Sequence, residues 1–234
     1  MTAENFKLQF LLFTIVLLAC ETKIDGISKT NKSEIKEINQ NNCNCPKNEF
    51  SLTKSDTIFL LSNNKKIALC GYRNPDSNSV NYSEFVLSVC GEDKIIDYWD
   101  ATQTCFLRIN SDTLIVENLI HLPSGKGRIY ETVTWAYDKI FFIQNKVVKL
   151  FSANDNIRKY NKNEIQSTLK EFENADGKLD DSKIELANRL FMCVISGNQI
   201  AKKYFKEFKT KFVLDGAFAE EYKELEAMIQ LWKN

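Results

Sequence analysis

The hydrophobic period of this chain changes once, near residue 160, and that switch dictates what it can fold into. Upstream, short runs rich in Val, Ile, Phe, Tyr and Thr follow one another at 57–62, 66–70, 84–90, 94–99, 103–109, 113–121, 131–137, 139–144 and 147–151. Such runs, separated by turn residues, read as strands. Phe85, Leu87 and Val89 share one face, as do Val133, Trp135 and Tyr137, the alternation of a half-buried sheet. Asn63-Asn64, Glu92-Asp93 and Ser111-Asp112 suit tight turns, because Asn and Asp tolerate left-handed backbone. The connections leave no room for crossover helices, so the sheet is expected to be antiparallel.

Downstream the spacing becomes helical. Ile165, Leu169 and Phe172 mark a first helix. Ser182-x-x-Glu185 opens a second in the pattern of a capping box. Its apolar set (Ile184, Leu186, Ala187, Leu190, Phe191, Val194, Ile195) covers more than half the circumference. That width needs more than one neighbour, which places this helix at the centre of a bundle ending at Gly197. Ile200, Tyr204, Phe205, Phe208 and Phe212 define a third, and Phe218, Tyr222, Leu225, Ile229 and Trp232 a fourth. The expected class is α+β: an antiparallel β-meander (sandwich, barrel or curved sheet) over residues 50–158, then about four helices over 159–234.

In front of both lies a twelve-residue apolar run, LQFLLFTIVLLA, at positions 8–19, preceded by Lys7 and closed by Leu17-Leu18-Ala19-Cys20. A membrane-crossing helix needs about 20 apolar residues, so this run suits a signal h-region. The junction resembles the signal peptide and lipobox of a bacterial lipoprotein precursor. The resemblance implies that residues 1–19 are removed and that the Cys20 thiol carries a diacylglycerol, with palmitate among its acyl chains. Two chains anchor stably in a bilayer. Glu21 stands after the cysteine where aspartate is associated with inner-membrane retention, so the resemblance favours the outer membrane. Residues 20–49 are assigned to the lipidated cysteine and tether, whose stretch 21–42 is polar, mixed in charge and poor in aromatics and has a flexible reach of about 25 Å.

Setting Cys20 aside leaves six of the seven cysteines, and an exported chain favours bridging. Cys43, Cys45, Cys70, Cys90 and Cys105 are the candidates. Cys193, at the edge of an apolar stripe, reads as a buried thiol, which leaves two bridges. Cys43-x-Cys45 has no second nearby thiol pair and is expected to be oxidised rather than to hold a metal. Lys and Arg balance Asp and Glu at 31 each, so no electrostatic footprint for nucleic acid is present.

No catalytic motif stands out. Asp97, Trp99 and Asp100 form an aromatic-acidic cluster suited to a glycan or to a partner's cation, with burial of Trp99 in the core as the competing reading. His121, the single histidine, has no GxSxG or HExxH context. The run 124–128 carries glycines and cations but lacks P-loop spacing. Residues 174–180 resemble the middle of a calcium loop, with Phe172 and Lys183 where acidic ligands belong. No cofactor or metal is expected. The expectation is a membrane-anchored, non-enzymatic binding or inhibitory module for a protein or glycan. An envelope hydrolase using Asp97, Asp100 or Glu117, and a purely structural envelope component, are the alternatives.

Overall fold

The structure is a computed structural model that describes residues 43–47, 54–73, 81–176 and 182–232. The apolar run at 8–19, Cys20 and most of the tether lie outside the described residues, as does the second half of the calcium-like loop. Among the described residues no helix is long and apolar enough to cross a membrane.

The fold is α+β. Eight strands form one antiparallel sheet: β1 (Thr57–Leu60), β2 (Lys66–Arg73), β3 (Asn81–Val89), β4 (Ile95–Trp99), β5 (Thr104–Asn110), β6 (Thr113–Leu122), β7 (Glu131–Ile143) and β8 (Lys146–Ala153). The order is β1-β2-β3-β5-β6-β7-β8, with β4 paired to β3 beside this path, and the sheet does not close. Asn64 and Ser111 adopt the left-handed backbone expected at their turns, and Gln144 and Asn145 supply two successive positive φ values between β7 and β8. That pair of angles is what a two-residue hairpin of the twist-compatible type requires.

Bulges bend the sheet. Glu84 is the extra residue opposite Gly71 and Tyr72, at φ 53°. Below it β3 pairs with β5 at Asn81 and Tyr82, and above it with β4 from Phe85 to Ser88. Gly71 is required there, because a Cβ would sit 2.2 Å from that of Phe85. A second bulge makes Trp135 the extra residue of β7 opposite Asn118 and Leu119. Curling brings β8 back towards β4 without a backbone ladder: Lys149 of β8 pairs with Asp97 of β4 and lies over the Trp99 ring. The concave face encloses Phe59, Ile67, Leu69, Phe85, Leu87, Trp99, Leu107, Leu114, Val116 and Ile140.

Two of the expected strands, 131–137 and 139–144, are one. β7 runs unbroken through Asp138, whose Oδ2 accepts from Asn118 and whose Oδ1 has only the Lys149 ion pair. On the convex side, the Cys43–Cys90 and Cys45–Cys70 disulfides pin residues 43–47 against Ala68 and Val86. Cys105 was a bridge candidate and is a free thiol. It projects from β5 into the concave core, opposite the face that carries the bridged cysteines.

The helices are α1 (Lys162–Asn174), α2 (Ser182–Ile195), α3 (Gln199–Lys211) and α4 (Gly216–Trp232). A capping box forms at α1, where the Asn161 side chain accepts from the Glu164 amide and Glu164 accepts from the Asn161 amide. α2 begins at Ser182, the first residue of the expected Ser182-x-x-Glu185 box, and the residue before it lies outside the described residues. Gly197, at φ 87°, ends α2, with its amide on Val194 and that of Asn198 on Cys193. Those two bonds satisfy otherwise unpaired carbonyls at the helix end. α2 is buried around most of its surface and packs against the other three helices. The bundle shares its core with Ile120, Leu122, Val133 and Trp135, so it sits on the far ends of β6 and β7.

Candidate functional site

The register of the sheet places a row of polar side chains across its concave face. Cys105, Asn118, Asp138 and Lys149 come from four consecutive strands, and each occupies the parity that elsewhere carries Leu107, Val116, Ile140 and Val147. The Cys105 thiol donates to Asn118 Oδ1 at 3.5 Å, and Asn118 Nδ2 donates to Asp138 Oδ2 at 3.0 Å. Lys149 Nζ lies 3.3 Å from Asp138 Oδ1 and donates to Asp97. Burial pulls the Lys149 pKa down, but the Asp97 hydrogen bond and the two carboxylate charges outweigh it, and the net shift is upward. Burial, then the Asp138 and Asp100 charges, push the Cys105 thiol up to about 12. Only a thiolate is a useful nucleophile, so this cysteine is inert at neutral pH.

Above this row the curled sheet opens towards α4. The space between them is a cleft of about 290 Å³, at the mouth of a barrel-like sheet where small sites often occur. Asn118 of the polar row forms part of its lining. Ile120, Trp135, Met228 and Leu231 give it apolar walls, and Asp100 and Glu224 are its two acids. Asp100 Oδ1 accepts from the Thr102 amide at 2.9 Å and from its hydroxyl at 2.5 Å. Burial raises the Glu224 pKa, and the charges of Asp100, Glu221 and Glu220 raise it further. Among the described residues no basic side chain lines the cleft.

The expected cluster is thus divided by the fold. Trp99 is 3% exposed and stacks on Phe85 with ring centroids 4.8 Å apart. Asp97 is held by Lys149 across the gap between β4 and β8. Asp100 alone reaches the cleft. Glu117 is engaged on the convex side by Arg108 Nε at 2.6 Å and by the Thr134 hydroxyl at 2.9 Å. His121 stands beside Tyr130 and Thr132 and does not line the cleft. In the run 124–128, the Ser124 and Gly125 carbonyls accept from Arg158 and the Gly125 amide donates to Ile129, while Arg128 pairs with Glu171. Those carbonyls, that amide and the Arg128 guanidinium are therefore spent within the fold. Among the described residues no cluster of three or more His, Cys, Asp or Glu side chains has the geometry to hold a metal.

Reading the sequence missed Asn118, Trp135, Asp138, Lys149 and Glu224. For Asp138 and Lys149 a signal existed. Asp138 is a charge at the buried parity of its strand, between Ala136 and Ile140, and Lys149 is a half-exposed charge on the matching parity of β8, between Val147 and Phe151. Isolated charges at core positions have to be paired. Glu224 lies on the polar side of an amphipathic helix and carried no signal. No family model matches the chain, and no curated protein and no solved structure resembles it.

Proposed function

We propose that this chain is an envelope lipoprotein, anchored through Cys20, whose folded part is a non-enzymatic binding module acting through the cleft between the curled sheet and α4. The observation that carries this reading is the division of polar groups around the cleft. Asn118, Asp138, Lys149 and Asp97 are spent on one another beneath it. It has apolar walls, and its rim keeps acids with no base beside them among the described residues. Apolar walls with few convergent polar groups are the usual make-up of a recognition pocket. The polar, mixed-charge stretch before residue 43 would hold such a module clear of the head groups.

The test is capture from envelope membranes by the full-length, acylated chain beside Ala227→Trp, which fills the cleft from α4. One stoichiometric partner recovered by the parent and lost with the variant supports the reading. Recovery that the variant leaves unchanged, or no partner at all, overturns it.

A hydrolase is the second reading, favoured by one observation: Asp100 and Glu224 line the same cleft. Two carboxyl groups whose environments differ can divide acid and base roles. Release of fragments from envelope glycan, abolished in Asp100→Asn, would select it.

A further inference from the structure

Resting on the binding reading, we infer that the cleft receives an arginine side chain projecting from a protein partner. The charge complement comes first. Asp100 and Glu224 face the space, Glu220 and Glu221 of the same helix add to the field at Glu224, and among the described residues no base lines the cleft. Lys223, the nearest base in sequence on α4, is committed to Glu220 at 3.5 Å. Among the described residues Glu224 has no cationic partner. Asp100 Oδ2 takes no hydrogen bond there either, since both Thr102 donors go to Oδ1. Two carboxylates facing one another are mutually destabilising until a cation comes between them.

The walls narrow the choice of cation. Trp135 is held in place by its bulge and by the Phe151 ring 5.6 Å away, and it presents an aromatic wall beside Met228 and Leu231. A guanidinium is planar, weakly hydrated, stacks on aromatic faces and bonds carboxylates in a fork. A compact ammonium gives up more hydration and gains less from such a wall. The cleft volume of about 290 Å³ admits one such side chain with its aliphatic stem against the apolar wall. It does not admit a folded segment, so the rest of the partner must lie across the rim, where Thr102, Gln103 and Thr104 offer hydrogen bonds.

The probe is a blocked tripeptide, acetyl-Gly-Arg-Gly-amide, against its citrulline counterpart, which keeps the shape and removes the charge. Binding to the full-length chain in detergent micelles is read from the indole N–H resonances of its three tryptophans. The arginine peptide is expected to shift the Trp135 resonance saturably and to bind about tenfold more tightly than the citrulline peptide, as expected where one charge-assisted contact is lost. Glu224→Gln and Asp100→Asn are each expected to weaken it three- to tenfold, with folding checked by melting. Equal affinity for the two peptides, or affinity that both variants leave unchanged, overturns the inference. If Ala227→Trp still abolishes capture of a partner in that case, the binding module stands and only the arginine assignment falls. Loss of both results removes the binding reading as well.

Discussion

Replacing Asp138 by alanine tests whether the polar row is a stabilising network or an accident of register. Asp138 is 4% exposed and accepts from Asn118 Nδ2 at 3.0 Å. A hydrogen bond to a charged group contributes about 1.5–3 kcal/mol, and stranding the buried Asn118 donor costs within about 1–3 kcal/mol, two descriptions of largely the same loss. The ion pair with Lys149 adds little, because the lysine side chain is 36% exposed and keeps Asp97, so we discount it to well under about 1 kcal/mol. The expected cost of Asp138→Ala is therefore about 2–4 kcal/mol. At about 2–4 °C per kcal/mol for a chain of this size, the melting temperature falls by roughly 6–12 °C for a loss near the middle of that range. Asp97→Asn breaks only the half-exposed contact and is expected to cost under about 1 kcal/mol. Urea unfolding of each variant, alone and combined with Asn118→Ala, measures the coupling directly. Residues sharing one network couple by more than about 0.5 kcal/mol. Additive Asn118 and Asp138 effects, or equal losses in Asp138→Ala and Asp97→Asn, would refute the reasoning.

Further outcomes follow from the same contacts. Reducing the Cys43–Cys90 and Cys45–Cys70 bridges opens loops of 47 and 25 residues, each worth about 3.5–4 kcal/mol alone by the chain-entropy relation. Because one loop lies inside the other, melting with and without reductant should show a loss smaller than their sum. Gly71→Ala drives a Cβ into the backbone of Phe85 and should destabilise the chain by about 3 kcal/mol or more, whereas alanine at the open Gly91 costs less, measured by the urea midpoint. Burial pushes the Cys105 thiol up to about 12 and the Cys193 thiol up to about 11. Iodoacetamide at pH 8 should label neither until denaturant is added, as read by intact mass. Glu224 has a folded pKa above its ordinary value, so its protonated form favours the fold. Stability should fall as pH rises from the unfolded pKa through the folded one, then level off. Glu224→Gln should remove that fall and raise stability at pH 7 by under about 1 kcal/mol, with no gain at pH 3.

The class and order of the elements are legible in local sequence. Period two up to β8, helical period from Ile165 and turn residues at Asn64 and Ser111 are local properties, and each local preference points to the same fold. The width of the α2 apolar stripe foretold its central place, because a helix buried on most sides must be covered on most sides. The remainder depends on contacts between distant segments. Nothing local to Glu84 or Trp135 announces a bulge, and these two, with a third in the β3–β4 pairing, bend the sheet until β8 meets β4. Reading Asp138 as a strand break was reasonable in isolation, since a charge inside an apolar strand is costly without partners. Its partners arrive from positions 118 and 149, and only the register of three strands brings them together. The cleft has the same origin. Asp100 and Glu224 stand 124 positions apart in the chain and line one space only because α4 covers the mouth of the sheet. Periodicity reports which side of an element is buried, and it carries no information about which distant side chain will stand opposite.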